Sequence, residues 1–193
     1  MEHHKITRLT LAGLFAAMAF VAFSYLRIEI PMGLGLTGKI YVGHTFLILA
    51  GLLLGSTYGG LSGSVGLTLA DILAGYTTSA PPTFLAKFLL GFSAGFIAWR
   101  ILGLSAETPL SRKLRIAAVA GTGACLVNVV TEPLIRYSFK YYVLGYPYQV
   151  ASVSAINCAV SMAVSAIPSV ILAVILYRVL LSVIPLAGLF PRR

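Results

Sequence analysis

Residues 51–96 are apolar enough to lie in lipid, yet near their second turn they carry one acid and one base, Asp71 and Lys87. An ionisable group inside a hydrophobic span costs about 3 kcal/mol even on a mild insertion scale, so it faces a partner or a wet cavity. Glycines at 51, 55, 59, 63, 91 and 95 allow close backbone packing in the same stretch. These residues read as the wall of a small-molecule pocket near one membrane face.

Composition extends that reading to the whole chain. Of its 193 residues 59% are hydrophobic and 10% charged, where a soluble domain carries about a quarter charged. The expectation is a single integral membrane domain over 1–193. A crossing takes about 20 apolar residues, which leaves room for about six. The first apolar run, 6–26, is too long for a signal peptide and lacks a small-residue cleavage site. The net charge of +9 reflects Lys and Arg gathered in cytoplasmic loops and implies no nucleic-acid partner. Cys125 and Cys158 lack metal-ligand spacing and read as small buried residues rather than a disulfide.

Apolar runs and turn residues predict helices over 6–26, 40–54, 60–74, 82–99, 116–135 and 150–177. The second is short for a span, so it stands nearly perpendicular to the membrane or begins below the interface. Residues 27–39 read as a Gly-rich loop, and the proline pair at 81 and 82 blocks helix before the second proline. Residues 136–148 read as a tyrosine-rich loop. With about six crossings both termini share a side. Placing them in the cytoplasm puts nine Lys and Arg inside and five outside, in line with the positive-inside bias. Trp99 then reads as an interfacial anchor. On the first helix Ala12, Ala16 and Ala19 recur at helical spacing, which fits internal packing and a flat face for another membrane protein equally well.

The polar residues within the predicted helices share one depth. His44, Asp71, Lys87, Asn128, Glu132, Ser154 and Asn157 come from five helices and all lie toward the outer ends. Asn128, Glu132 and Arg136 stand at i, i+4 and i+8, and Ser154, Asn157, Ser161 and Ser165 form a stripe on the last helix. Mostly apolar walls with a few convergent polar groups are the usual form of a small-molecule site. We therefore assign ligand contact to His44, Asp71, Lys87, Asn128, Glu132 and Asn157, and to Tyr146 in the loop above them. Loops 27–39, 75–82 and 136–148 lie over the site as lids. Asp71 and Lys87 equally fit a charge pair across a helical hairpin, His44 fits a packing role, and Arg136 and Lys140 fit an interfacial one. The mixed charges favour a neutral or zwitterionic ligand over a polyanion.

Several function classes lack their motifs. The chain has no P-loop, no HExxH, no GxSxG and no Cys/His set that would hold a metal. No catalytic residue, metal or cofactor is assigned. A pocket with no energy source of its own needs a partner to deliver its ligand. The alternatives are a stand-alone carrier and a small membrane enzyme using Glu132, Asp71 or His44 as acid and base, for which no nucleophile or cofactor motif is present.

The chain resembles the substrate-binding S components of energy-coupling-factor (ECF) vitamin transporters, in the riboflavin and hydroxymethylpyrimidine branch. The resemblance rests on the LAGLFAAMAF start and on Gly55, Gly63, Asp71, Gly75, Tyr76, Pro82, Thr83, Lys87, Gly91 and Gly95 in order, followed by an acid at Glu132 and an Asn at Asn157. It departs at Tyr41, Val42, Gly43 and His44, where relatives often show Asn-Leu-Gly-Asp, and at Val160, where they often carry Gln. The resemblance implies an all-α bundle of six transmembrane helices in the cell membrane with cytoplasmic termini. It implies a coupling transmembrane subunit that meets Ala12 and Ala16, and two ATPase subunits that use ATP elsewhere. It implies a B-vitamin or precursor as ligand. A flat ring with hydroxyl groups, of hydroxymethylpyrimidine or pyridoxine type, stands first and riboflavin next, with folate or a queuosine precursor behind.

Overall fold

The computed structural model describes residues 2–31 and 37–183. Six α-helices appear among them: α1 (Glu2–Tyr25), α2 (His44–Leu54), α3 (Ser56–Leu73), α4 (Ala80–Phe96), α5 (Leu110–Ser138) and α6 (Tyr148–Val183). An antiparallel pair, β1 (Arg27–Pro31) and β2 (Thr37–Tyr41), joins α1 to α2, with Arg27 opposite Tyr41. The fold is all-α apart from this hairpin.

Four segments are long and apolar enough to cross a membrane: Lys5–Tyr25, Thr77–Ile101, Leu110–Val143 and Tyr148–Val183. α2 departs from that pattern because it has 11 residues, ten of them buried. A helix apolar on every side belongs inside a bundle, and α2 packs against α1, α3, α4 and α6. Leu47, Ile48, Leu49 and Leu52 make it the centre of the core. At its last turn the Leu52 carbonyl, which the helix itself leaves unpaired, accepts a bond from Trp99 Nε1 at 3.1 Å. Trp99 is thus tied to α2, beyond its expected anchoring role.

Glycine fixes how closely α2, α3 and α4 approach. A Cβ on Gly59 would lie 2.5 Å from the Gly51 Cα, and one on Gly91 would lie 2.2 Å from the Gly59 carbonyl oxygen. The sharp reversal between α2 and α3 falls on Gly55 at φ +89°, a left-handed conformation that Gly adopts without penalty. α1 joins this layer where a Cβ on Gly66 would meet the Ala16 carbonyl oxygen at 2.2 Å.

Three connections differ from the sequence reading. Where the sequence reads as a Gly-rich loop over 27–39, residues 27–31 and 37–39 are strand, and 32–36 lie outside the described residues. α4 starts at Ala80, before both prolines, which sit in its first turn, where the missing N–H has no helical partner to lose. Residues 136–143 continue α5 and end in a wider π turn, Phe139–Val143, so the tyrosine-rich segment is mainly helical.

Gly91→Ala is expected to lower stability by at least 2 kcal/mol, since the added carbon meets backbone that has no rotamer to change. Gly13 has nothing within 4 Å of its Cβ direction, so Gly13→Ala should be neutral or stabilising by up to about 1 kcal/mol. Thermal unfolding of both variants in detergent checks the pair, and equal midpoints would refute the packing argument.

Candidate functional site

Alternating helix directions bring the start of α2, the end of α3, the first turns of α4, the last turns of α5 and the first turns of α6 to one end of the bundle. Side chains from these segments form a single buried network. Glu132, fully buried on α5, is its hub. Its Oε2 pairs with the Lys87 ammonium of α4 and accepts from Asn128 Nδ2 at 3.1 Å. Its Oε1 accepts from Arg136 Nε at 3.0 Å and from the same guanidinium's second nitrogen at 2.9 Å. The i, i+4, i+8 spacing read from sequence is what lines up Asn128, Glu132 and Arg136 on one face.

Asp71 and Lys87 are not paired with each other. The Thr83 hydroxyl donates to Asp71 Oδ2 at 2.5 Å and accepts from Arg136 at 3.0 Å. Thr83 therefore relays between α3 and α5, while Lys87 turns to Glu132. Two cations and two carboxylates balance in the hub. A buried charge is tolerated when it is paired and its remaining hydrogen-bonding capacity is used.

Lys87 Nζ also reaches His44 Nε2 at 2.9 Å and Met162 Sδ at 3.5 Å. An ammonium only donates, so His44 Nε2 is the acceptor and Nδ1 carries the proton. The Tyr41 hydroxyl lies 3.1 Å from that same Nε2. His44 is thus a neutral imidazole. Among the described residues its Nδ1 is buried with no hydrogen-bond partner, and so are Asn128 Oδ1 and Asn157 Nδ2. Buried polar groups normally find partners, and the hydroxyls of Thr68, Thr131, Ser169 and Tyr177 and the Nε of Arg8 are unpaired in the same way.

α6 lines the remaining side. Ser154 accepts from Lys140 Nζ at 2.5 Å, and Ser165 Oγ takes the Tyr41 N–H at 3.4 Å. Asn157 lies between them on the same face. Lys140, Arg136, Thr78, Ser79 and Tyr146 border a cavity of about 90 Å³.

Of the residues assigned from sequence, His44, Lys87, Asn128 and Glu132 are in direct mutual contact. Asp71 joins through Thr83, and Tyr146 stands apart at the outer cavity. Tyr41, Thr83 and Met162 were not assigned to the site, and Arg136 fitted an interfacial reading. The α5 spacing was the available signal for Arg136. Nothing local marked Tyr41 or Met162. Ala12 is 6% exposed and Ala16 packs on Gly66. Ala12 therefore faces the core and Ala16 lies in the α1–α3 contact, and the small residues on the open side of α1 are Gly13 and Ala17.

The bundle and its buried polar layer define a multi-pass membrane protein with a cluster of paired polar and charged side chains at one end. Among solved structures, the S component for biotin from an ECF-type ABC transporter aligns at TM-score 0.58 and 19% identity, covering 99% of each chain. ThiT from Listeria monocytogenes aligns at TM-score 0.59 and 20% identity, over 95% of this chain and 98% of its own. No curated protein matches the chain in sequence. The family model described as ECF-type riboflavin transporter, S component, matches residues 3–182. The chain belongs to that family.

Glu132→Gln should destabilise more than Lys87→Met, because it leaves both Lys87 and Arg136 without their carboxylate. Stranding a buried charge costs about 3–5 kcal/mol, whereas Lys87→Met leaves Glu132 still bound by Arg136. Chemical unfolding of the two single variants and the double variant gives the ordering. A Lys87→Met loss equal to or larger than that of Glu132→Gln would contradict the hub assignment.

Proposed function

We propose that the chain captures a flavin-type heterocycle, riboflavin first among candidates, from outside the cell and passes it inward with an ATPase module. That it is the S component of an ECF-type transporter follows from the family; the ligand and the residues that hold it are our reading. The observation carrying it is the set of buried, unpaired atoms on His44, Asn128 and Asn157. His44 Nδ1–H offers a donor, Asn128 Oδ1 an acceptor and the Asn157 amide a donor. A ring edge presenting acceptor, donor and acceptor, as an imide does, complements such a set. Riboflavin, after which the family is named, has a ring edge of that kind.

Length supports the same order of candidates. From Ser154 to Ser165 the polar face of α6 runs about 16 Å at 1.5 Å per residue, longer than one six-membered ring. Riboflavin, with fused rings and a hydroxylated tail, suits that length better than hydroxymethylpyrimidine or pyridoxine, which the sequence alone had put first. Lys87, Glu132 and Asp71 act in this reading as the fixed polar floor, and Tyr146 as part of the cover.

For the partner, a coupling transmembrane subunit with two ATPases, we place the contact on the open side of α1. Gly13 and Ala17 lie there beside Leu14, Met18 and Val21, which are 54%, 38% and 48% exposed. Small residues allow another helix to come close.

Purified protein titrated with riboflavin should quench flavin fluorescence. Asn128→Ala and Asn157→Ala should each weaken binding about tenfold, the effect of one buried hydrogen bond. Failure of wild-type protein to bind any flavin, with a different vitamin found by mass spectrometry of the purified protein, would overturn the ligand. Separately, Gly13→Trp should keep ligand affinity within twofold (on the order of assay error, as expected for a site remote from the pocket) and abolish co-purification with the ATPase module. Intact assembly in that variant would move the coupling face elsewhere.

A further inference from the structure

Among the described side chains the charges around the site do not cancel once Lys140 is included. Lys87 and Arg136 are matched by Glu132 and Asp71, directly or through Thr83. Lys140 bonds only the Ser154 hydroxyl, at 2.5 Å, and among the described residues no carboxylate pairs with it. It is half-buried at the rim of the cavity of about 90 Å³. A lysine that is partly removed from water and has no counter-charge is costly, and this one faces a space.

That space has matching chemistry. Arg136 borders it from α5, Thr78 and Ser79 from the turn before α4, and Tyr146 from the turn before α6. No acid lines it among the described residues. The hydroxyls of Thr78 and Ser79 bond no described protein group, so two donors stand free beside two cations. The volume is too small for a vitamin-sized ring and suits a carboxylate or phosphate group. It opens at the outer end of the α6 polar face, beyond Asn157, where the tail of an elongated ligand would emerge.

We propose that this cavity is a subsite for one oxyanion group carried by the transported molecule, with Lys140 as its counter-ion. This rests on reading the chain as a ligand-capturing subunit and extends it: the site takes a phosphorylated or carboxylated tail as well as a neutral one. Arg136 contributes only the charge that Glu132 leaves over, so Lys140 carries the discrimination.

The test uses the full chain in detergent free of phospholipid. Inorganic phosphate against chloride at matched ionic strength should raise the wild-type melting midpoint by about 2–4 °C. Lys140→Gln should abolish that rise, while Arg112→Gln, at the opposite end of the bundle, should keep it. With flavin probes, Lys140→Gln should weaken riboflavin 5′-phosphate about tenfold and leave riboflavin within about twofold. A rise that is absent in wild type or persists in Lys140→Gln overturns the subsite, as does equal weakening of both flavins. A Lys140-dependent rise with no flavin bound overturns the flavin reading alone. Stoichiometric anionic phospholipid held by wild type and lost in Lys140→Gln would assign the cavity to a lipid headgroup and overturn its assignment to the transported molecule.

Discussion

One buried carboxylate organises this protein's interior. Glu132 receives a cation from α4 and another from its own helix, and Asn128 fills a further lone pair. In an apolar bundle such a group is tolerable only with its partners in place. The positions of α4 and α5 at this end are therefore fixed by charge as well as by packing. His44 and Tyr41 follow, since Lys87 donates to the imidazole that the Tyr41 hydroxyl also contacts. Through Tyr41 the hairpin after α1 is tied to α6. The layer is polar and buried, and it distinguishes atoms that are used from those left over.

That division carries the function proposed for the site. Fully paired groups such as Glu132 and Lys87 are poor ligands for a neutral solute, because using them means breaking strong bonds. The leftover atoms of His44, Asn128 and Asn157 lose nothing when a solute bonds them. In the proposed site, affinity comes from groups the protein has desolvated but not satisfied, which is how a preformed site gains over one that must rearrange.

Much of this was legible in the sequence. The apolar runs give the six helices, with ends displaced by a few residues, and the depth of the polar residues gives the layer. Partner choice was not legible. Asp71 and Lys87 look paired because they flank one turn, yet the Glu132 carboxylate of α5 takes Lys87 and leaves Thr83 to satisfy Asp71. Spacing along a chain carries no information about which third helix wedges between two others. The hairpin was hidden for a different reason: glycines and a proline around 31–38 mask the short alternation at Ile28 and Ile30, which a local reading takes for loop. On α1 the periodicity showed a small-residue stripe but not its direction, and Ala12 turns inward.

The backbone contacts among Gly51, Gly59 and Gly91 carry a mechanical corollary. Helices usually slide past one another by letting interfacial side chains hop between rotamers, and here no side chain separates the chains. It follows that α2, α3 and α4 travel as one keel. Any rearrangement that admits or releases a solute is left to the periphery, to the turns before α4 and α6 and to the long, proline-containing α6.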